Sequence, residues 1–377
     1  MLRAHNFSAG PGEMPLSVLE AASRALLNVP EVGLPLLGIS HRSSWFKDVV
    51  AEAEQLVREL LGVPKHYHIV FLQGGATLQF SAVAATFLRG TGFHADYIQT
   101  GYWSEKCLPE AQKEGNIRIL WSGENEGYIR LPSDSELNFS EDAAYFHYIS
   151  NETVEGLQFH RLVGREGVRR VCDMSSDFLS QPVEVDKFDI IYAHAQKNLG
   201  PAGVTIVVLR DELLAGIPEG LPAMMDYRPH VEMHSVFNTP PTFAIYVVLL
   251  TLRWLRDEIG GLTQMKRINE SKARLLYDLL DQSAGFYRGR AGKADRSLMN
   301  VSFNLSTCGM EKDFLIKAES QGLYGLEGHR SCGGLRASLY NAVTLESVEV
   351  LCDFMQKFQS EYAPSSASKI DNTGAVR

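Results

Sequence analysis

The chain has 377 residues, of which 45% are hydrophobic, which is enough to bury two domain cores. Its formal net charge of -9, without a run of five basic residues, argues against nucleic acid or an anionic membrane as its main partner. The first thirty residues lack a continuous apolar segment and the five cysteines show no CxxC spacing, so we expect a cytoplasmic protein without a metal site.

Strand-like and helix-like segments alternate from about residue 66 to residue 210. This alternation predicts an α/β domain with a mainly parallel sheet covered by helices. The candidate strands are residues 68–73, 95–100, 117–121, 144–149, 169–174, 189–195 and 204–209.

A proline-rich stretch interrupts the periodicity between residues 221 and 242, and we predict a long loop there. A long helical pattern follows over residues 243–283. The remaining segments predict a small α+β unit, with strands near 298–305 and 334–342 and helices near 312–321 and 345–362.

These elements predict a division into two domains. The large domain covers residues 16–257 and the small domain residues 258–362, and residues 1–15 associate with the small domain. The last residues, 363–377, are small and polar, so we predict a disordered tail.

Small residues connect the first candidate strand to its helix, in the order Gly74, Gly75, Ala76, Thr77. Such a junction lets a phosphate approach the N–H groups and the positive dipole end of the helix. An ordinary tight turn is the other explanation. The GxGxxG spacing of dinucleotide-binding folds is absent at this position.

Two charged residues, Asp173 and Lys197, stand at the ends of apolar candidate strands. Taken alone, Asp173 could cap the turn through Ser175 and Ser176, and Lys197 could be a solvated loop residue. Open α/β sheets, however, bind ligands at the carboxyl ends of their strands. A phosphate-binding turn, a carboxylate and a lysine together are the parts needed to hold pyridoxal phosphate.

Cationic residues form two further pairs, His41-Arg42 in GISHRSSW and His329-Arg330 in EGHRSCGG, and Arg336 follows the second pair. Solvated surface explains most single arginines. Pairs flanked by glycine and small residues instead suggest anion sites, because a guanidinium binds carboxylate or phosphate in a bidentate manner.

With these residues in place, the chain resembles the phosphoserine aminotransferases, a family of class V aminotransferases with the fold type I architecture of pyridoxal phosphate enzymes. The resemblance runs from about Asn6 to Tyr362 and rests on NFSAGPGEMP, SHR, TGYW, NETVEG, AQKNLGPAG, FNTPPTF and GHRSCGGLRASLYNA. It implies a large cofactor-binding domain with a seven-stranded sheet and a small C-terminal domain.

The resemblance also implies roles for individual residues. Lys197 would be the Schiff-base lysine and Asp173 the partner of the pyridine nitrogen, with one pyridoxal phosphate per subunit. Asn238 and Thr239 would reach the phosphate from the other subunit, which makes the active site a property of a homodimer. The other cofactor-binding residues implied by the resemblance are Ala76, Thr77, Trp103, Thr153 and Gln196.

The reaction implied by the resemblance is reversible transfer of an amino group from glutamate to 3-phosphohydroxypyruvate. Arg336 resembles the family's arginine for the α-carboxylate common to all substrates. The distal carboxylate or phosphate would be bound by His41, Arg42, His329 and Arg330. The family belongs to serine biosynthesis, and its use in bacterial pyridoxine synthesis is left open for this chain.

Three alternatives remain at this stage. The chain could be another class V enzyme, either a different small-acid transaminase or a cysteine desulfurase with Cys332 as nucleophile, or a scaffold that has lost catalysis.

His194 stands where the family usually has glycine, and either packing or proximity to the cofactor phosphate would explain it.

Overall fold

The computed structural model describes residues 4–307 and 309–362, so the predicted tail lies outside the described residues. None of the helices in these ranges is both long and apolar enough to span a membrane. The helices are α1 (Leu16–Leu27), α2 (Ser44–Leu61), α3 (Gly75–Leu88), α4 (Tyr102–Gln112), α5 (Tyr227–Glu232), α6 (Thr242–Asp257), α7 (Leu262–Gln282), α8 (Glu311–Ser320) and α9 (Leu345–Tyr362). The strands are β1 (His5–Asn6), β2 (Tyr67–Leu72), β3 (His94–Gln99), β4 (Asn116–Ser122), β5 (Phe146–Ile149), β6 (Asn151–Glu152), β7 (Leu157–Gln158), β8 (Arg170–Asp173), β9 (Ile190–His194), β10 (Thr205–Arg210), β11 (Tyr287–Gly289), β12 (Asn300–Leu305), β13 (Leu323–Tyr324) and β14 (Leu335–Ser338).

The large sheet contains the seven strands predicted from the sequence, in the order β2-β10-β9-β8-β5-β3-β4. β10 is antiparallel to both of its neighbours, and the other neighbouring pairs are parallel. The connection from β9 to β10 covers only residues 195–204, whereas a parallel connection would need a crossover of a dozen or more residues. The predicted α/β fold class with a mainly parallel sheet is confirmed.

Helices bury both faces of this sheet. On one face, Phe46 of α2 joins Ile191 of β9 in a shared core. On the other face, Phe80 of α3 packs with Tyr192, the next residue of the same strand. Successive strand residues point to opposite faces, so a strand covered on both sides is apolar at nearly every position. This explains why the candidate strands were visible as continuous apolar runs.

The segment between the two sheets differs in detail from the sequence prediction. The helical pattern over residues 243–283 is divided into α6 and α7, because Gly260 and Gly261 have φ angles of 84° and 92° that an α-helix excludes. The proline-rich loop contains the short helix α5, which begins where the Asp226 carboxylate accepts a hydrogen bond from the N–H of Arg228.

A second core lies between the three-stranded sheet β11-β12-β14 and the helices α7, α8 and α9, and it includes Phe303, Phe314 and Leu351. The N-terminal segment joins this core, because β1 pairs in parallel with β13 and Phe7 is buried there. These contacts support the assignment of the first residues to the small domain, whereas Leu262 and Met265 at the start of α7 lie in the core of the large sheet, beyond the predicted boundary near residue 257. The domain division itself stays a prediction.

Candidate active site

Lys197 lies in the turn after β9, and its side chain is only 8% exposed. Its Nζ donates hydrogen bonds to Thr153 Oγ1 at 2.6 Å and to Ser176 Oγ at 2.9 Å, and it lies 5.7 Å from the centre of the Trp103 ring. Burial lowers the pKa of Lys197 to about 8, while the carboxylate of Asp173 acts in the opposite direction. Near neutral pH, more of this amine is therefore neutral and nucleophilic than in an exposed lysine.

Asp173 is the last residue of β8 and is 3% exposed. Because β8 and β9 are parallel neighbours, Asp173 and Lys197 meet at the same edge of the sheet. The carboxylate accepts a hydrogen bond from the Ser175 N–H at 2.8 Å, so the turn-capping role considered above is real. Burial raises the pKa of Asp173, and the positive charge of Lys197 opposes that rise. The Asp173 carboxylate can therefore cap this turn and also bind a ligand.

The connection from β2 to α3 has a geometry suited to anion binding. Gly74 and Gly75 have φ angles of 92° and 67°, and a Cβ on Gly74 would lie 2.7 Å from the Cβ of Leu78. α3 begins at Gly75, and Gly74 supplies no side-chain cap. The N–H groups of the first helical turn, which includes Ala76 and Thr77, are thus in a position to bind phosphate.

A cavity of about 210 Å³ joins these features. Its lining includes the cofactor residues predicted for a single subunit, which are Ala76, Thr77, Trp103, Thr153, Asp173, Gln196 and Lys197. It also includes residues not assigned to the cofactor, which are Gly74, Gly75, Phe80, Ile149, Asn151, Ser175, Ser176 and His194. The shared cavity supports the assigned roles, which stay predictions.

Asn238 and Thr239 lie outside the described lining of this cavity. The carbonyl of Thr239 nevertheless accepts a hydrogen bond of 2.8 Å from Gln73 Nε2, directly before the turn that leads into α3. Asn238 is half-buried and Thr239 is exposed. The pair is therefore accessible from outside the chain, as its predicted role in a neighbouring subunit requires.

Two buried glutamates hold the segment that carries Trp103. Glu152 accepts a hydrogen bond from the Trp103 N–H at 3.2 Å, and Glu155 accepts one from the Tyr102 N–H at 3.1 Å. Both carboxylates lie at the positive end of α4. Burial raises the pKa of both, and the neighbouring Glu152 helps to raise that of Glu155 to about 8. This role was not predicted from the sequence, in which the acidic residues of NETVEG were the available signal.

Arg336 is the buried member of the predicted anion-binding residues. It lies in β14, is 9% exposed, and has a buried Nε without a hydrogen-bond partner in the described part of the chain. Burial lowers the pKa of Arg336. It lines a small cavity together with His329 and Cys332, and the His329 ring lies 4.5 Å from the ring of Tyr102. An unpaired guanidinium donor beside the α4 segment is suited to binding a carboxylate.

The other predicted anion-binding residues do not converge on these cavities within one chain. Arg42 and Arg330 are exposed and His41 is half-buried. The backbone N–H of Arg42 donates to Ser40 Oγ at 3.2 Å in the turn before α2. Their contribution to substrate binding stays a prediction.

The N-terminal segment packs directly on the lysine turn. The Gly12 N–H donates to the Gln196 carbonyl at 2.8 Å, and the Tyr340 hydroxyl donates to the Ala9 carbonyl at 2.7 Å. A Cβ at Gly12 would lie 2.5 Å from the Lys197 carbonyl oxygen and 2.7 Å from Tyr340 Cδ2. Glycine at this position therefore lets two backbone segments approach closely.

Gly12→Ala is expected to displace the lysine turn, because neither the backbone of Lys197 nor the ring of Tyr340 can move freely. We expect the free energy of unfolding to fall by about 1–3 kcal/mol and cofactor affinity to weaken. Denaturant titration and cofactor titration measure these effects. Gly38→Ala is the control, because nothing lies within 4 Å of a Cβ at Gly38. Equal effects of the two substitutions would contradict this account of Gly12.

Pyridoxal phosphate has three groups that need protein partners, and the cavity offers a partner for each. The Lys197 amine can bond to the aldehyde carbon, Asp173 can face the ring nitrogen, and the α3 turn can take the phosphate. The cavity also contains the buried Nδ1 of His194, which has no hydrogen-bond partner among residues 4–307 and 309–362. The residues present thus fit this cofactor.

Comparison with known proteins agrees with this fit. Residues 4–351 match the model of the family described as aminotransferase class-V. The phosphoserine aminotransferase of Geobacillus kaustophilus is 47% identical over 96% of this chain and 100% of its own length. The solved phosphoserine aminotransferase of Bacillus circulans subsp. alkalophilus is 44% identical with a TM-score of 0.93, covering 96% of this chain and 99% of that chain. The pyridoxal-phosphate-bound phosphoserine aminotransferase of Trichomonas vaginalis is 36% identical with a TM-score of 0.87, covering 94% of this chain and 100% of that chain. The chain therefore belongs to the class V aminotransferases and, within them, to the phosphoserine aminotransferase family.

Proposed function

We propose that the chain catalyses reversible, ping-pong transfer of the amino group of L-glutamate to 3-phosphohydroxypyruvate, giving 2-oxoglutarate and O-phospho-L-serine. The observation that carries this proposal is the buried Lys197 amine, held by Thr153 and Ser176 in the cavity that also contains Asp173 and the α3 turn. Membership of the phosphoserine aminotransferase family supports the choice of substrates. This reaction belongs to serine biosynthesis.

Bound pyridoxal phosphate supplies an electron sink for negative charge at the α carbon of the substrate. Lys197 would anchor the cofactor and, once displaced by the substrate amine, would take the proton from that carbon and pass it to the carbon that carried the cofactor aldehyde; a pKa of about 8 suits both transfers. Asp173 would place a negative charge beside the ring nitrogen. Thr153 orients the Lys197 amine, and Trp103 fixes the plane of the bound ring.

A panel of amino acceptors tests the proposed substrate. The protein is loaded with pyridoxal phosphate and converted to its pyridoxamine form with glutamate. It is then offered one of five acceptors. Two are phosphorylated, namely 3-phosphohydroxypyruvate and the 3-hydroxy-2-oxo acid of the pyridoxine pathway, and three are not, namely pyruvate, glyoxylate and oxaloacetate. We expect 3-phosphohydroxypyruvate to give the highest kcat/KM. A higher value with an unphosphorylated acceptor would support the alternative of another small-acid transaminase.

Arg42 is proposed to bind the distal anion of both substrates, with Arg336 on the α-carboxylate. For Arg42→Ala we expect kcat/KM to fall by about 10- to 100-fold for glutamate and for phosphoserine alike, because each loses a charge-assisted hydrogen bond. Initial rates in both directions measure the effect. Arg288→Ala removes another exposed arginine and serves as the control. Loss for only one substrate would show that the two anions do not share a site.

We also propose a homodimer in which Asn238 and Thr239 of one subunit reach the phosphate bound in the other. Two apolar residues of the same loop, Met233 and Phe237, are 47% and 41% exposed, which supports burial against a second subunit.

A cytoplasmic location is part of the proposal. The described Cys107, Cys172, Cys332 and Cys352 are free, as expected in a reducing compartment.

Cysteine desulfuration is the second candidate function, favoured by the position of Cys332 beside Arg336 and His329. Cys332 is half-buried, and its Sγ lies 3.8 Å from the Gly333 carbonyl oxygen. For Cys332→Ser we expect unchanged transamination, because no proposed step uses the thiol. Glutamate turnover is measured beside sulfide release from cysteine, with dithiothreitol added to reduce the persulfide that Cys332 would carry. Sulfide release that disappears in the variant would establish desulfuration instead.

A further inference from the structure

His194 is a half-buried residue of the cavity for which the proposed reaction has no role. It is the last residue of β9, three positions before Lys197, and it lines the same cavity. Its backbone N–H donates to Ser175 Oγ at 3.3 Å. Its Nδ1 is buried and makes no hydrogen bond with any described residue. Buried polar atoms are nearly always hydrogen-bonded, so this nitrogen points to a ligand.

The sheet register directs His194 toward α3. Thr205 of β10 pairs directly with His194 on one side and with Leu72 on the other. Directly paired residues of antiparallel strands project to the same face of a sheet. Leu72 packs in one core with Ala76 and Phe80 of α3, so this is the face that α3 covers. His194 therefore lies on the side of the sheet where the α3 turn begins.

The charges around His194 favour an anion beside it. Burial lowers the pKa of His194 well below its usual range, and the positive charge of Lys197 lowers it further. Hydrogen bonding to the Gln196 side chain acts in the opposite direction. A neighbouring anion reverses that balance, because it stabilises the ring form that donates from both nitrogens. Phosphate is the most highly charged group of pyridoxal phosphate.

We propose that His194 is an additional phosphate-binding residue, whose ring donates a hydrogen bond to the cofactor phosphate beside the α3 turn and Gln196. This inference rests on the proposed function, because it takes pyridoxal phosphate as the cofactor. It gives the chain a side-chain donor to the phosphate in addition to the backbone N–H groups of α3. His194 then positions the cofactor and takes no part in proton transfer at the α carbon.

The test compares two aldehydes that differ only in the phosphate group. The cofactor-free full-length chain is titrated with pyridoxal 5'-phosphate and with pyridoxal, and the dissociation constants are read from the change in absorbance. His194→Phe keeps an aromatic side chain without a donor, and His194→Gln keeps a donor. For His194→Phe we expect pyridoxal 5'-phosphate affinity to fall by about 10- to 100-fold, since a hydrogen bond to a charged group is lost. Pyridoxal affinity should not change, and His194→Gln should recover part of the loss.

His194→Gly removes the ring and is titrated in the same way. It provides a second donor-free variant if His194→Phe fails to fold. Equal weakening for both aldehydes would overturn the proposal, because the ring would then act on the cofactor's own ring or on the fold. Unchanged affinity for both would overturn it as well. If the unaltered chain bound neither aldehyde, the proposed function itself would be contradicted.

Discussion

Lys197→Ala should lower the rate of transamination by about 10,000-fold, because the variant loses the group that moves the proton at the substrate α carbon. The fold should remain, since Thr153 and Ser176 are 2.8 Å apart and can still bond to each other. The cavity would also lose its buried amine, so the cofactor should bind reversibly and wash out on dialysis. Rapid-mixing absorbance measurements with glutamate give the rate, and circular dichroism reports the fold.

Lys113→Ala is the matched control, because Lys113 is an exposed lysine that pairs with Glu110 on the surface of α4. We expect that variant to retain full activity. Turnover of Lys197→Ala within tenfold of the unaltered chain would mean that another group moves the proton.

Asp173→Asn should lower kcat by about 1,000-fold, or about 4 kcal/mol of transition-state stabilisation. Asparagine keeps the shape and an acceptor for the Ser175 N–H, which donates to Asp173 at 2.8 Å, but it carries no charge. Without that charge the ring nitrogen of the cofactor is no longer held protonated, and negative charge at the α carbon is less well stabilised. Steady-state kinetics at saturating cofactor measure the loss.

Asp177→Asn is the control. It shows whether the loss of kcat comes from the missing charge at Asp173 in particular or from the loss of a buried carboxylate in general. Asp177 is buried near Asp173 and accepts hydrogen bonds from Ser150 Oγ at 2.5 Å and Gln158 Nε2 at 3.1 Å, but it is outside the described lining of the cavity. We expect kcat in this variant to stay within tenfold. Equal losses in the two variants would contradict the assignment of Asp173 to the ring nitrogen.

The sequence predicted most of the large sheet because its inner strands are buried on both faces and therefore appear as apolar runs bounded by charged or turn residues. The edge strand β4 differs, since none of its residues is buried. Lys197 and Asp173 were visible for a related reason, since each is a charge at the end of such a run. The predicted long helix after the proline-rich loop was less accurate. Its apolar pattern continues through Gly260 and Gly261, where the backbone adopts positive φ and separates α6 from α7.

Contacts between distant segments were not predictable in the same way. The hydroxyl of Ser176 was considered for a turn, yet it accepts a hydrogen bond from Lys197 Nζ. The close approach of Gly12 to the lysine turn depends on how the N-terminal segment crosses the large domain. Asn238 and Thr239 lie outside the described lining of the cavity in their own chain, so their predicted role depends on a second subunit.

The link between the cofactor and Lys197 can be measured directly. The holoenzyme is treated with borohydride, digested with trypsin and examined by mass spectrometry. We expect the added cofactor mass on the peptide spanning residues 188–210, which contains Lys197 uncleaved. Lys272 is the natural competitor, because burial lowers its pKa to about 7, but its Nζ donates to the carbonyls of Leu339, Tyr340 and Val343, outside the cavity. Cofactor mass on the peptide spanning residues 268–274, or on neither peptide, would contradict the account.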